Sequence, residues 1–277
     1  MVVAGYQGVS YRREVTTLGR GGSDTTAVAM AAALDAEYCE ICSDVDGVYS
    51  ADPRVVPSAQ RIGSLSYEET QEMAEAGAKV LNAQAVEFAK ERGIAIYARA
   101  TQGSAAETVI RKLPPRAPGS VVGVTSETGL LLVSADGPAS LGTLVSVLDD
   151  HGCSGKEMLL RPGAAPTGGQ ASILLSLENI HDFGALRARL EKHLGRSARV
   201  SEGVGAVSAI GAGINASLAN LRATLSHAAS LPVEVLGAST SSFRITLLVP
   251  AERVPDTVRR LHRELVTEGE PARSPSE

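Results

Sequence analysis

The sequence has few cysteines, no long apolar run and no dense cluster of basic residues. Its three cysteines suit a reducing compartment better than a disulfide framework. No uninterrupted apolar segment is long enough to span a bilayer, and no basic region followed by an apolar stretch marks a signal peptide. With 26 basic against 31 acidic residues, neither nucleic acid nor a membrane is an expected partner. The default expectation is a cytoplasmic protein.

Two of the cysteines, Cys39 and Cys42, have the spacing of a redox or zinc motif. They lie in a segment that is expected to form a strand, where residues three apart face opposite sides of the sheet. Their thiols would then point away from each other and could not share a metal. We therefore expect no metal site here. The five histidines are scattered, and none lies beside a nucleophile or a metal-spaced partner.

Residues 1–113 alternate between expected strands and helices, which favours an open α/β sheet with parallel strands. The expected strands cover residues 1–5, 37–43 and 94–99, and the expected helices cover residues 24–33, 67–76 and 78–92. The last of these helices is amphipathic, with Val80 among its apolar positions.

A proline-rich linker at residues 114–119 precedes a pattern of strands and helices that occurs twice. Elements are expected at residues 129–134, 140–151, 172–177 and 182–194, and again at residues 205–211, 216–229, 243–249 and 254–266. This order predicts two ferredoxin-like βαββαβ modules, at residues 120–203 and 204–267. The tail at residues 268–277 is rich in Pro, Ser and Glu, and we expect it to be disordered.

A glycine-rich loop is the most informative feature of the sequence. Residues 18–24 read Leu-Gly-Arg-Gly-Gly-Ser-Asp and join a short apolar segment to an alanine-rich helix. The glycines permit positive φ and close backbone approach, and the helix N-terminus favours an anion. Arg20 adds a guanidinium suited to a carboxylate. The loop is either a cradle for a small anion or an ordinary glycine-rich turn.

A second polar segment, residues 43–54, follows the expected strand at residues 37–43. It supplies a hydroxyl, three carboxylates, a tyrosine and an arginine at a strand end, where open α/β sheets bind ligands. These groups suit ribose hydroxyls, a purine face and phosphates. An EF-hand interpretation fails because the later ligands of the twelve-residue loop are missing. The alternative is a polar surface loop.

Together these segments resemble the aspartate kinases, members of the amino acid kinase superfamily with two C-terminal ACT domains. The resemblance also rests on Gly-Ala-Lys-Val-Leu at residues 77–81, on Ser-Ala-Ile-Gly-Ala-Gly-Ile at residues 208–214 and on Gly-Ala-Ser-Thr-Ser at residues 237–241. It covers nearly the whole chain. The fold it implies is the C-terminal half of an amino acid kinase-type open sheet with flanking helices, followed by two ACT modules.

The resemblance implies transfer of the γ-phosphoryl group of MgATP to the side-chain carboxylate of L-aspartate, giving 4-phospho-L-aspartate, the first step towards lysine, threonine and methionine. Such chemistry needs positioning and charge neutralisation more than covalent catalysis. By position, the implied catalytic residues are Arg20 and Asp24. The implied aspartate-binding residues are Arg20, Gly21, Gly22 and Ser23. The implied ATP-binding residues are Ser43, Asp44, Tyr49, Arg54 and Lys79.

The sequence also departs from the family pattern. The family's Lys-Phe-Gly-Gly-Thr-Ser opening, which holds the ATP phosphates, is not in this chain, whose first lysine is Lys79. Asn82 and Ala83 replace the usual His-Pro or Gln-Pro. We therefore expect residues 1–113 to be the C-terminal part of a kinase domain. The alternative is a non-catalytic regulatory subunit, or a truncated form, that binds an amino-acid effector and partners a complete kinase.

The first expected ACT module has an effector loop at residues 136–142, between a strand and a helix. Its implied effector-binding residues are Asp136, Ser140 and Leu141, and lysine or threonine is the implied effector. Backbone amides at a helix N-terminus suit the carboxylate of an amino acid. The alternative is a module that serves packing alone. ACT domains also imply a homo-oligomer.

Overall fold

The computed structural model describes residues 1–19, 21–79, 81–102, 106–113, 116–117, 119–162, 169–230 and 234–266. The chain divides into two compact units, and the expected α/β class is confirmed. Unit 1 comprises the described parts of Met1–Ser126, Val207–Leu247 and Pro255–Glu277, and unit 2 comprises those of Glu127–Ala206 and Leu248–Val254. Among the described residues, no helix has the length and apolar character needed to cross a bilayer.

In the N-terminal part of unit 1, the described residues form six strands and three helices. The strands are β1 (Gln7–Val9), β2 (Val15–Thr17), β3 (Tyr38–Ser43), β4 (Ser64–Leu65), β5 (Ala95–Ala100) and β6 (Glu107–Ile110). The helices are α1 (Gly22–Ala33), α2 (Tyr67–Glu75) and α3 (Ala83–Arg92).

Four of these strands form one sheet in the order β3-β5-β6-β4. The pairs β3–β5 and β4–β6 are parallel, as expected, but β5 and β6 are antiparallel. The predicted parallel pairing is confirmed for these two pairs, whereas the antiparallel strand β6 was not predicted. β6 follows β5 after a short connection, and a short connection favours antiparallel pairing.

The core of this part lies between the sheet and its helices. Val28 of α1, Val86 of α3 and Ile96 of β5 are fully buried in one cluster. β3 alternates, with Cys39 and Ile41 buried and the residues between them exposed. This alternation leaves Cys39 and Cys42 on opposite faces, as the sequence predicts.

The expected strand at residues 1–5 is not formed, and the first strands are β1 and β2, which pair antiparallel. Val2 is fully exposed, and Tyr6 has a φ of 68°, which interrupts an extended backbone. A strand is stable only where its backbone groups find partners. Within the part of the chain that the structure describes, no strand pairs with residues 1–5.

The helix expected at residues 78–92 begins later, at Ala83, because Asn82 caps it. The Asn82 side chain accepts hydrogen bonds from the backbone amides of Gln84 and Ala85, which is the geometry of an N-cap. Val80, expected on the apolar face of this helix, lies outside the described residues. The helix ends at Gly93, which has a φ of 70°.

Unit 2 follows the element order that the sequence predicts for one βαββαβ module. Its elements are β7 (Gly123–Asp136), α4 (Pro138–Asp150), β8 (Gly155–Pro162), β9 (Gly169–Ser176), α5 (Phe183–Leu194) and β10 (Ala198–Ile210). β9 pairs antiparallel with both β7 and β8. Leu186 and Leu190 of α5 are buried with Leu144 of α4 beside Val133 and Leu175 of the strands. The leucines of the two helices, at helical spacing, thus pack in one core with the strands.

The C-terminal elements belong mostly to unit 1, although β7, β10 and β12 each continue from one unit into the other. They are α6 (Ala219–Ala229), β11 (Gly237–Thr240), β12 (Arg244–Pro250) and α7 (Val254–Leu265). The amide of Val122 donates to the carbonyl of Ile210, and Val121 forms a parallel bridge with Val266. The module boundaries at residues 120–203 and 204–267 stay predictions, and the tail at residues 268–277 lies outside the described residues.

Candidate active site

The glycine-rich loop leads directly into α1. Gly21 is the N-cap of this helix and has a φ of 76°, in the left-handed region that glycine adopts at little cost. Gly19 also has a positive φ, of 80°. Gly22 is buried, whereas Ser23 is exposed at the start of the helix. The predicted connection between loop and helix is confirmed, while Arg20 lies outside the described residues.

The N-terminus of a second helix, α3, meets this loop. A Cβ atom on Gly21 would lie 2.4 Å from Nδ2 of Asn82, the residue that caps α3. Gly21 therefore has two reasons to be glycine, its backbone conformation and the close approach of Asn82. The first turns of α1 and α3 converge here, and their dipoles favour a negative charge at this point.

Asp24 lies in the first turn of α1, and its carboxylate reaches the other helix. Its Oδ2 accepts a hydrogen bond of 3.3 Å from the backbone amide of Asn82. Burial raises the pKa of the Asp24 carboxyl above its ordinary value, and the hydrogen bond from Asn82 opposes this shift. Burial, followed by the charge of Asp24, also raises the pKa of the Cys39 thiol on the nearby strand β3. Asp24 thus sits half-buried where the two helices begin.

The polar segment at residues 43–54 begins at the last residue of β3, as predicted. The Ser43 hydroxyl donates to the carbonyl of Val45 and accepts from its amide, which shapes a local turn. Asp44 is exposed. The Tyr49 hydroxyl donates to Asp46 over 2.8 Å, and this hydrogen bond raises the pKa of Tyr49. The tyrosine ring is therefore anchored at its hydroxyl end.

Arg54 and Asp52 form an ion pair in the same segment. The Arg54 guanidinium donates to both Asp52 oxygens, while its side chain stays 85% exposed. The hydrogen bonds from Arg54 hold the pKa of the Asp52 carboxyl below its ordinary value, burial opposes them, and the positive charge of Lys79 lowers it further. Lys79 is exposed and lies within electrostatic range of this pair.

The turn between α2 and α3 therefore has residues near both polar segments. Lys79 places its charge near Asp52 of residues 43–54, and Asn82, three residues later, packs on Gly21 of the glycine loop. The sequence predicts Lys79 as a site residue, and the structure adds Asn82 as a further candidate. Its position just before an alanine-rich helix is an N-cap signal that would have found it.

The predicted effector loop lies in unit 2, at the junction of β7 and α4. Asp136 ends the strand and accepts a hydrogen bond of 3.2 Å from the Gln170 side chain. Ser140 and Leu141 lie in the first turns of α4, partly buried. A surface cleft of about 430 Å³ between α4 and α5 is lined from Gly142 onward and does not include these three residues.

The chain is similar to known proteins along most of its length. The model of the amino acid kinase family matches residues 1–98. The aspartokinase of Mycolicibacterium smegmatis is 35% identical, over 95% of this chain and 65% of its own length. The aspartokinase of Corynebacterium glutamicum is 34% identical, over 97% of this chain and 66% of its own length.

The described fold also matches solved structures. Aspartokinase III of E. coli in complex with aspartate and ADP superposes with a TM-score of 0.80 at 25% identity, covering 95% of this chain and 60% of that chain. The same enzyme in complex with lysine and aspartate gives a TM-score of 0.72 at 26% identity, covering 95% of this chain and 59% of that chain.

The paired helix N-termini and the strand-end segment lie in the part of the chain that the amino acid kinase family model matches. Over nearly its whole length, the chain is similar to aspartokinases. It spans 65% of the length of the Mycolicibacterium smegmatis relative.

Proposed function

We propose that this chain carries the aspartate-binding loop and nucleotide segment of an aspartate kinase, which transfers the ATP γ-phosphoryl group to the side-chain carboxylate of L-aspartate. The observation that carries the proposal is the turn between α2 and α3. This turn packs Asn82 on Gly21 and brings the charge of Lys79 near Asp52. One short segment thus lies beside both sets of polar groups, and phosphoryl transfer requires such groups to be positioned together.

In this proposal the glycine loop binds L-aspartate through Arg20, Gly21, Gly22 and Ser23. The converging N-termini of α1 and α3 supply amide donors and positive dipole ends for a carboxylate. Arg20 and Asp24 are the proposed catalytic residues. Asp24 is held by Asn82 and orients the loop towards the reacting groups.

ATP would contact Ser43, Asp44, Tyr49, Arg54 and Lys79. The exposed guanidinium of Arg54 and the ammonium of Lys79 suit phosphate oxygens, and the anchored Tyr49 ring suits the nucleoside. Transfer to a carboxylate develops negative charge on the phosphoryl oxygens, which these cations would neutralise.

Mg²⁺ would enter this site bound to ATP rather than be held by protein ligands alone. Within the described residues, no group of three or more His, Cys, Asp or Glu side chains is arranged to hold a metal by itself. Magnesium bound to a nucleotide needs only one or two carboxylates besides phosphate and water oxygens. Asp24, half-buried at the loop, is the carboxylate that would assist it, and the ion would offset phosphate charge.

For regulation we propose that the loop at Asp136, Ser140 and Leu141 binds lysine or threonine, with assembly through the ACT modules. The E. coli aspartokinase III structure that contains lysine supports an amino-acid effector in this family. The alternative, a regulatory subunit without catalysis that partners a complete kinase, predicts effector binding without turnover.

Turnover separates these two functions. ADP release by the purified chain is measured with and without L-aspartate, both alone and with an N-terminal aspartokinase segment supplied. We expect ADP release that needs both MgATP and L-aspartate in at least one arm. Lysine or threonine binding without turnover in either arm would favour the regulatory alternative.

A further inference from the structure

The proposed ATP-binding segment, residues 43–54, runs into a loop whose two ends are joined by backbone hydrogen bonds. The amide of Ser50 donates to the carbonyl of Gln60, and the amide of Ile62 donates to that of Val48, both over 2.8 Å. Ser50 lies next to Tyr49 and is only 4% exposed. The position of buried Ser50 therefore determines where the exposed residues that follow it, including Arg54, are placed.

A histidine from the C-terminal helix contacts this loop from within the same unit. His262 of α7 is 9% exposed, and its Nε2 lies 2.8 Å from the Ser50 hydroxyl oxygen. The same oxygen accepts a hydrogen bond of 3.0 Å from the amide of Gln60. Either group can donate in this hydrogen bond, depending on the imidazole tautomer, because the hydroxyl oxygen has two lone pairs. Burial lowers the pKa of His262 and so favours its neutral form.

The same helix contacts the loop a second time. Arg259 lies one turn before His262, and its Nε donates to the carbonyl of Val55 over 3.1 Å. Residues three apart lie on one face of a helix, so both contacts come from a single face of α7. They flank Asp52 and Arg54 along the chain. The helix thus holds the nucleotide segment on both sides of its exposed ion pair.

We propose that His262 is a positioning residue for nucleotide binding, acting through Ser50 on the segment that carries Tyr49 and Arg54. The proposal rests on the proposed function, because it assigns His262 to the same ATP site. His262 does not touch the nucleotide. It fixes the loop that presents the nucleotide-binding side chains.

A histidine that only filled the core would affect the whole unit, whereas a positioning residue acts on ATP more than on aspartate. The glycine loop is held by Asn82, which caps α3 rather than α7. ATP affinity therefore reports on the His262 contact, and aspartate affinity reports on the Asn82 contact. A purely structural role of His262 would not weaken ATP binding alone.

The test compares three full-length variants with the wild-type chain. His262→Phe keeps a ring but removes the nitrogen that hydrogen-bonds Ser50, and His262→Gln keeps a hydrogen-bonding group. Ser208→Ala is the control, because it removes a buried hydroxyl that hydrogen-bonds Thr246. Calorimetry gives affinities for MgATP and L-aspartate, and hydrogen exchange reports on residues 48–62. For His262→Phe we expect about tenfold weaker ATP binding and about tenfold faster exchange at Gln60, as for the loss of one buried hydrogen bond.

We expect aspartate affinity within about twofold of wild type in all variants, a change no larger than one surface contact makes. His262→Gln and Ser208→Ala should keep ATP affinity in the same range. Equal losses for both substrates, or unchanged ATP affinity and Gln60 exchange in His262→Phe, would overturn the proposal. If His262→Phe does not fold, Ser50→Ala tests the same contact through the two affinities alone, because it also removes the acceptor of the Gln60 amide.

Failure of the proposed function gives a different result. A wild-type chain that binds no MgATP contradicts the function and, with it, a role for His262 in nucleotide binding. Exchange at Gln60 is measured without nucleotide, so it still decides whether His262 fixes the loop. If the wild-type chain binds MgATP and His262→Phe leaves exchange at Gln60 unchanged, the inference about His262 is overturned while the proposed function stands.

Discussion

The backbone amide of Asn82 donates a hydrogen bond of 3.3 Å to the Asp24 carboxylate and so joins the first turns of α1 and α3. A carboxylate and a glycine-rich loop are thereby held against the N-terminal ends of two helices. This contact connects residues far apart in the chain, and it is the basis of the first predictions.

Gly21→Ala should destabilise the protein more than an ordinary glycine substitution does. Gly21 and Gly93 have φ values of 76° and 70°, but only at Gly21 would a Cβ meet another residue, Asn82. Gly93→Ala is therefore the matched control and should cost about 1 to 2 kcal/mol for the backbone conformation. Gly21→Ala should cost about 1 to 3 kcal/mol more, from overpacking. Urea unfolding measures both, and equal losses would contradict the contact.

Asn82→Ala should weaken both the helix and the loop. Loss of the α3 cap should lower the free energy of unfolding by about 1 kcal/mol. Ser66→Ala, which removes the cap of α2, should cost about the same, because the Ser66 side chain accepts from the helix amide of Glu69. Only Asn82→Ala should weaken aspartate binding, by about tenfold or 1.4 kcal/mol. A similar loss of aspartate affinity in both variants, by calorimetry, would argue against a role for Asn82 in the loop.

Asp24→Asn should remove turnover while sparing stability. Burial raises the Asp24 pKa, so the folded state disfavours the charged carboxylate, and a neutral side chain of the same shape should not lower unfolding free energy at neutral pH. Turnover should fall by about 100-fold or more if the carboxylate orients the reacting groups. Asp149→Asn, at an exposed position of α4, is the control and should change neither quantity. Turnover within about twofold of wild type in Asp24→Asn would remove Asp24 from the catalytic residues.

Lys79→Ala should weaken ATP binding by about tenfold, because it removes a positive charge beside the nucleotide segment. Aspartate affinity should not change. The control is Lys90→Ala, on α3, whose ammonium pairs with Glu68 over 2.9 Å. Calorimetric titration with MgATP distinguishes them, and equal ATP affinities for the two variants would exclude Lys79 from the site.

The stability of the protein should depend on pH through His262. Because burial lowers the pKa of His262 from its ordinary value of 6.5, the unfolded chain binds the proton more readily than the folded chain. The stability this group contributes is fully present above pH 6.5 and is lost as the pH falls through the lower folded pKa. His262→Gln should show a flatter decline in unfolding free energy down to about pH 5. Parallel curves for wild type and variant would contradict the assignment.

Local features of the site were predictable from the sequence. The glycines at residues 19–22 restrict where a helix can begin, so the start of α1 followed from the loop. The alternation along β3 placed Cys39 and Cys42 on opposite faces, and Ser43 at the strand end. Each of these follows from backbone preference or side-chain periodicity within a few residues.

Partners distant in the chain were not predictable. The strand expected at residues 1–5 has apolar residues but no paired strand in the described ranges, and apolar character alone does not supply hydrogen-bond partners. The orientation of β6 also depended on how the chain turned after β5.

The sequence by itself determined the resemblance to aspartokinases, through ordered motifs, and the local geometry of the glycine loop and of β3. Only the tertiary structure placed Asn82 against Gly21 and the His262 imidazole against Ser50, 212 residues away. The physical reason is that backbone propensities act over a few residues. Which side chains meet across the fold depends instead on how helices and sheets pack to bury their apolar faces.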